Sequence, residues 1–216
     1  MASLNAILPI VIISVTGMVI LIGDACFTLW RESRFLSAAV SLLGVAISFG
    51  YSVAMLTARF PVDRPAFHGA IAADPFAQAC NILLLVAAAL AILLAFTYLE
   101  NRSLNLGEYY SLILFSTAGA MLMAAATDLI VLFVALETLS VALYVMAGFA
   151  RAEARSEEAA LKYFLLGAFA AGFLLYGIAL IYGGASSTVD AGTTNLTALA
   201  AFLRVNPQPS FMLVCG

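Results

Sequence analysis

Charged residues are scarce in this chain: Asp, Glu, Lys and Arg make up 10% of its 216 residues, whereas 64% are hydrophobic. Soluble domains carry about 25% charged residues. So few charges exclude a soluble globular enzyme and a disordered linker. The formal net charge of −3 also excludes a nucleic-acid binder, which needs a basic surface. The composition instead predicts an all-α, polytopic transmembrane helix bundle in contact with the lipid bilayer.

Histidine and cysteine are also rare, and their positions show no metal-binding or catalytic pattern. The one histidine, His68, lies in a polar link without neighbouring ligands, so we interpret it as a solvated loop residue. Cys26, Cys80 and Cys215 lack the spacing of a zinc site and the even count of a disulfide framework. We interpret them as small hydrophobic core residues. No phosphate-binding loop, dinucleotide fingerprint or nucleophile elbow is present, so no cofactor or metal site is predicted.

Six stretches are apolar enough to cross a membrane as helices of about 20 residues. They cover residues 4–23, 36–58, 76–98, 109–126, 129–150 and 157–183. A seventh apolar run begins at Phe211 and reaches Gly216. We therefore expect six complete spans plus the start of a seventh, in a chain that is a fragment or a truncated reading frame. Ser156 is expected to cap the sixth helix at its N-terminus.

The arginines in the links predict the orientation of the bundle. The odd-numbered links hold Arg31, Arg34, Arg102, Arg151 and Arg155, and the even-numbered links hold Arg59, Arg64 and Arg204. Cytoplasmic links carry the excess of positive charge in membrane proteins. We therefore expect the odd links in the cytoplasm and the N-terminus outside.

One carboxylate lies in the middle of an apolar span. Glu137 is the only charged residue between positions 129 and 150, and a carboxylate there is costly unless it is paired or protonated. Ser140 and Tyr144 follow on roughly the same helical face and extend it into a small polar stripe. We predict that Glu137 is a proton-carrying carboxyl that faces the bundle interior. The alternative is a structural carboxyl hydrogen-bonded to a neighbouring helix.

Lys162 is the second candidate, because it lies about 8 Å inside the sixth span. It can pair with Glu158 four residues earlier, or extend to the membrane interface, so a functional and an interfacial interpretation both stay open. Glu137 lies about 20 Å from the link between the fifth and sixth spans. A direct contact with Lys162 is therefore not expected without water or other groups between them. Asp24 and Asp128 lie at span ends and are interpreted as interfacial.

The segment 128–183 resembles a known family. LETLSVALYVMAGFAR at 136–151 and SEEAALKYFLLGAFAAGFLLYGIALIYG at 156–183 are similar to the antiporter-like, proton-pumping subunits of respiratory NADH:quinone oxidoreductase (complex I). The Leu-Glu pair followed by Leu-Ser and Leu-Tyr-Val is typical of subunit N rather than of the sibling subunits M and L. The similarity is specific over about 55 residues and extends less sharply over the first three spans.

The resemblance implies a 14-helix fold built from two inverted five-helix repeats. Residues 1–108 would be an N-terminal three-helix segment, and residues 109–216 the first repeat as far as the start of helix 7. Glu137 matches the family's fifth-helix glutamate, and Lys162 matches a sixth-helix lysine on the proton path. In the implied mechanism, a lysine near Glu137 favours the carboxylate, and its withdrawal lets Glu137 take up a proton. The family's seventh-helix and eighth-helix lysines have no counterpart in this sequence.

The resemblance also implies a function, partners and a location. It implies a membrane-arm subunit that contributes to proton translocation coupled to electron transfer from NADH to quinone. NADH, FMN, iron–sulfur clusters and quinone would bind to partner subunits, and the other membrane-arm subunits would be the partners, in the bacterial inner membrane. One alternative is a subunit of a cation/proton antiporter or a membrane-bound hydrogenase, which share the module. Another is a truncated, non-transporting structural fragment whose helices only pack.

Overall fold

The computed structural model describes residues 2–26, 34–57, 66–102, 107–186, 192–206 and 210–216. In these ranges the chain is helical, with isolated β-bridges and no β-strand. The helices are α1 (Ala2–Cys26), α2 (Arg34–Thr57), α3 (Pro75–Arg102), α4 (Gly107–Ala125), α5 (Leu129–Ala147), α6 (Ala154–Gly184), α7 (Leu196–Val205) and α8 (Phe211–Cys215). A short 3-10 turn, Phe67–Gly69, precedes α3.

Five of the described helices are long and apolar enough to cross a membrane. Their spans are Leu4–Cys26, Phe35–Thr57, Pro75–Glu100, Leu129–Ala147 and Ala154–Gly184. They confirm five of the predicted stretches to within a few residues. The predicted count of six complete spans plus the start of a seventh is not confirmed. The stretch predicted at 109–126 forms α4, which does not meet the same criterion, and α8 has only 5 residues.

The position of α4 explains its lower hydropathy. This helix packs against α1, α2, α3 and α5, and 10 of its 19 residues are buried. By contrast, α5 and α6 each bury only two residues in the described part of the chain. A helix covered by protein on most sides needs less apolar surface than a helix that faces lipid. The core therefore lies among the four helices α1, α2, α3 and α4, where Ile13, Leu85 and Leu114 are fully buried.

Two local predictions are wrong. Ser156 does not cap α6, because the helix begins earlier, after Glu153, and the Ser156 hydroxyl donates to the carbonyl of Ala147 at 2.7 Å. That carbonyl belongs to the last turn of α5, whose oxygens have no partner within the helix. The cysteines are not core residues: Cys26 and Cys215 are exposed at helix ends, and Cys80 is half-buried.

The even-numbered links meet in one hydrogen-bonded layer at one end of the bundle. Thr127 donates its N–H to the carbonyl of Ala70 at 3.0 Å, and Leu196 donates to the carbonyl of Thr127 at 2.9 Å. The Gly69 carbonyl accepts from the Thr127 hydroxyl at 2.7 Å and from the Asn195 amide at 2.5 Å. These bonds hold a turn in which Phe67, His68 and Gly69 all have positive φ, at 52°, 58° and 87°.

The N-terminal end of α1 joins the same layer, since Ala6 packs with Ala66 and Ala73. The N-terminus and the described parts of the even links therefore lie at one end, as expected for helices that alternate in direction. Three arginines of the predicted charge bias, Arg31, Arg59 and Arg64, lie outside the described residues.

Candidate functional site

Glu137 occupies a position near the middle of α5. It lies eight residues after Leu129, or roughly 12 Å along the helix axis. The helix is anchored at its start by Asp128, which accepts from the Ile130 N–H and from the Thr194 hydroxyl at 2.8 and 2.7 Å. Asp128 is therefore the N-cap of α5, and the capped start fixes how far along the helix the Glu137 side chain lies.

The Glu137 side chain is half-buried and lines an apolar groove of about 460 Å³. Besides Glu137, the groove is lined by Leu112, Phe115, Phe133, Val134, Thr138, Val141 and Ala142. The Thr138 hydroxyl donates to the Val134 carbonyl of its own helix at 2.8 Å. Among the residues that the structure describes, none forms an ion pair or a hydrogen bond with the Glu137 carboxylate.

Tyr144 packs against α6 rather than lining that groove. Its ring makes edge contacts with Tyr163 and Phe164, at centroid distances of 4.7 and 5.8 Å. Its hydroxyl occupies the space in which a side chain at Gly167 would lie. Ser140, between Glu137 and Tyr144, is half-buried. The predicted polar stripe thus follows the face of α5 that turns from the groove towards α6.

Lys162 forms an ion pair with Glu158, four residues earlier on α6, as the spacing predicted. Both side chains are well exposed, at 70% and 63%. The structure does not bring Lys162 to Glu137. Gly148, just after α5, lies opposite Ala160 of α6, which places Lys162 roughly nine residues, or about 13 Å along the helix, from the level of Glu137.

A second groove, of about 220 Å³, adjoins the first and was not predicted from the sequence. It shares Leu112 and Phe115 with the groove of Glu137, and its lining includes Glu108, Ser111 and Arg151. Glu108 and Ser111 are three residues apart on α4, so the sequence could have shown that they share one face of the helix. The two grooves thus lie side by side between the α5–α6 link and the mid-helix carboxyl.

His68 is exposed, as expected of a loop residue. Within the described ranges, no three His, Cys, Asp or Glu side chains lie close enough to hold a metal ion.

Known proteins are similar both to the part of the chain that contains Glu137 and to nearly the whole chain. Residues 126–215 match the family described as NADH:quinone oxidoreductase/Mrp antiporter, transmembrane. NADH-quinone oxidoreductase subunit N of Trichlorobacter lovleyi is 42% identical over 215 residues, which is 99% of this chain and 42% of that protein. The chain therefore spans about two fifths of the length of this relative.

Two solved structures share the fold. A chain of respiratory complex I from Thermus thermophilus with bound aureothin is 28% identical, with a TM-score of 0.65; the match covers 96% of this chain and 42% of that one. A chain of the membrane-bound sulfane sulfur reductase, an archaeal respiratory membrane complex, is 20% identical with a TM-score of 0.77, covering 97% of this chain and 42% of that one.

The helical bundle and the family match make this chain an antiporter-like membrane protein. Within that class, it is similar to subunit N of NADH-quinone oxidoreductase over about two fifths of the relatives' length, and the resemblance noted in its sequence is confirmed.

Proposed function

We propose that this chain is part of a membrane-arm subunit of NADH:quinone oxidoreductase and contributes to proton translocation coupled to electron transfer from NADH to quinone. The observation that carries the proposal is Glu137, a carboxyl near the middle of α5 in an apolar groove. A carboxyl in that setting can bind and release a proton as nearby charge changes. The name of the relatives, NADH-quinone oxidoreductase subunit N, supports the same function.

The proposal includes a finer architecture. In it, α4 also crosses the membrane, as a sixth span shielded by its neighbours, and α8 begins a seventh. Residues 1–108 form a three-helix segment, and residues 109–216 begin the first repeat of a 14-helix antiporter-like fold. The burial of α4 among four helices supports this assignment, since a central helix tolerates polar residues that a lipid-facing helix does not.

In the proposed mechanism, Glu137 alternates between a neutral and a charged state. The approach and withdrawal of a lysine from a following helix drive the change between the two states. The proposal keeps Lys162 as a residue of the proton path, and Tyr144 packs on α6 between the levels of Lys162 and Glu137. Each change in the charge of Glu137 thereby takes up or releases one proton.

The proposal places the chain in the bacterial inner membrane with the N-terminus outside. The arginine-rich odd links then face the cytoplasm, and the hydrogen-bonded layer of the even links faces outward. The partners are the other membrane-arm subunits. NADH, FMN, the iron–sulfur clusters and quinone bind to partner subunits rather than to this chain.

The test is Glu137→Gln in the complete subunit, assembled in its complex and reconstituted in vesicles. Glutamine keeps the size of the side chain and cannot carry the proton. We expect fewer protons translocated per NADH oxidised. Glu100→Gln, at an exposed glutamate near the end of α3, is the matched control and should pump normally. Normal pumping by Glu137→Gln would make Glu137 a structural carboxyl.

Membership of the complex is tested separately by purification. A tagged subunit, extracted gently from its native membrane, should bring with it the other membrane subunits and the NADH-oxidising arm. Recovery of the chain alone would contradict the assignment to complex I.

A further inference from the structure

The second groove, with its volume of about 220 Å³, combines two opposite charges with a mainly apolar lining. Glu108 lies in the first turn of α4, and Arg151 follows the end of α5, so both belong to the end of the bundle where the odd-numbered links lie. The remaining lining residues are Leu21, Ser111, Leu112, Phe115, Val145, Gly148 and Phe149. The groove therefore has a charged end at the boundary of the spans and an apolar part that leads into them.

The two charged side chains of this groove are not used by the fold. Within the described ranges, the side chains of Glu108 and Arg151 form neither an ion pair nor a hydrogen bond. A second carboxyl lies nearby: the Asp24 Cγ of α1 is 3.1 Å from the position that a Cβ atom at Gly107 would take. A ligand with one negative and one positive group complements this arrangement, with its anion on Arg151 and its cation beside the two carboxylates.

The apolar walls of the groove are fixed by packing. The ring of Phe115 lies directly on the backbone of α1, because a Cβ atom at Gly17 would meet its Cε1 and Cζ atoms at 3.2 and 3.3 Å. The ring of Phe149 makes an edge contact with Tyr109 at a centroid distance of 4.9 Å. A groove with fixed walls binds a ligand without a large cost of ordering its own side chains.

The length of the apolar surface matches one leaflet of a bilayer. The second groove shares Leu112 and Phe115 with the groove of Glu137, so the two form one continuous strip beside α5. Glu137 lies ten residues before Ala147, the last residue of α5, which is roughly 15 Å along the helix axis. The hydrocarbon core is about 30 Å thick, so one leaflet accounts for about 15 Å. The strip thus runs from the charged end to about the depth of the bilayer centre.

The size of the groove favours a lipid chain over a protein helix. A helix with its side chains is about 10–12 Å across, so it can cover a space of about 220 Å³ but cannot enter it. An acyl chain is thinner and flexible enough to follow the strip. A soluble ion could pair with Arg151 or Glu108 but would leave the apolar lining uncovered.

We propose that the second groove binds one phospholipid whose headgroup carries an ammonium group, as in phosphatidylethanolamine. The phosphate pairs with Arg151, the ammonium lies beside Glu108 and Asp24, and one acyl chain follows Leu112 and Phe115 towards Glu137. An anionic lipid without an ammonium group fits less well, because two carboxylates lie at the same end as the single lining arginine. The proposal does not depend on proton translocation by Glu137.

The test is photo-crosslinking of the complete subunit in its complex, in lipid nanodiscs. The probe is a phosphatidylethanolamine with a diazirine group in one acyl chain, and labelled peptides are identified by mass spectrometry. We expect label in residues 112–115 and 133–142, removed by excess unlabelled phosphatidylethanolamine and retained with the same excess of phosphatidylglycerol. Label spread evenly over the exposed helices, or its absence from these two segments because a partner subunit or water fills the groove, would overturn the proposal. Equal competition by phosphatidylglycerol would overturn the ammonium assignment.

Two variants of the charged end identify the groups that recognise the headgroup. Arg151→Gln should reduce the labelling of residues 112–115 and 133–142 by about tenfold, because a charge-assisted bond to the phosphate is lost. Glu108→Gln should let phosphatidylglycerol compete as well as phosphatidylethanolamine. The matched control is Arg155→Gln, at an exposed arginine of α6 that does not line the groove, and it should be labelled as the wild type is. Wild-type labelling and competition in both groove variants would contradict the proposal, and if Arg151→Gln does not assemble, the competition result of Glu108→Gln decides.

Discussion

Helices α4 and α5 approach each other closely at Gly119, and this contact yields a quantitative prediction. A Cβ atom at this position would lie 2.6 Å from the Leu139 nitrogen, 2.9 Å from the Ala135 oxygen and 3.1 Å from the Leu139 Cα. All three atoms are backbone, so they cannot move aside as the end of a side chain can. Ordinary contact begins near 3.4 Å, so Gly119→Ala must push the helices apart by about 0.8 Å locally.

The cost of this substitution follows from the packing of the core. Overpacking by one methyl group typically costs about 1–3 kcal/mol. Alanine regains up to about 1 kcal/mol through its higher helix propensity. Because the clashing atoms are backbone, the upper end of this cost applies, and the net loss in the free energy of unfolding is about 2 kcal/mol, or roughly a thirtyfold change in the unfolding equilibrium.

The matched control is Gly50→Ala on α2, where an added Cβ meets nothing within 4 Å. Thermal unfolding of the two variants, measured in the same lipid nanodiscs, should place Gly119→Ala clearly below the wild type and Gly50→Ala at or above it. Equal stability of the two variants would show that α4 and α5 do not pack closely at Gly119. It would thereby remove the basis for the geometry of the Glu137 groove.

Three further predictions concern contacts that position the site. Asp128→Ala removes the side-chain cap of α5 and should lower the unfolding free energy by about 1 kcal/mol, whereas Asp128→Asn should retain most of it; equal losses in thermal unfolding would contradict a capping role. Gly167→Ala places a methyl group where the Tyr144 hydroxyl lies and should cost about 1–3 kcal/mol; adding Tyr144→Phe should recover part of the stability, and no recovery would refute the contact. Asn195→Ala removes the bond to the Gly69 carbonyl and the cap of α7, so amide exchange in residues 192–206 should accelerate; unchanged exchange would contradict that bond.

Much of the fold could be predicted from the sequence because apolar runs of about 20 residues have few alternatives in a membrane. The span predicted at α4 is not confirmed by hydropathy, for a physical reason. Hydropathy predicts which helices face lipid, whereas α4 is surrounded by protein and carries Glu108, Tyr109 and Tyr110 in its first turn. The start of α6 was also misplaced, because Ser156 is used by the neighbouring helix rather than by its own. The partner of the Ser156 hydroxyl is set by a tertiary contact between α5 and α6.

The candidate site, too, could be predicted from the sequence only in part. The sequence indicated Glu137 because a charge inside an apolar span stands out, and it indicated the Lys162–Glu158 pair because four residues form one helical turn. It did not reveal the groove that Leu112 and Phe115 of α4 form beside Glu137, because that surface depends on how two helices pack. Likewise, the contact of Tyr144 with Gly167 depends on the α5–α6 register.

The central claim is that Glu137 changes its protonation state when the complex works. Infrared difference spectroscopy of the complete complex, comparing the resting enzyme with the enzyme under NADH turnover, measures this directly through the carbonyl stretch of a protonated carboxylic acid. We predict a band that appears or disappears with turnover in the wild type and in Glu100→Gln, and is absent in Glu137→Gln. A difference spectrum that Glu137→Gln leaves unchanged would contradict a proton-carrying role for this carboxyl.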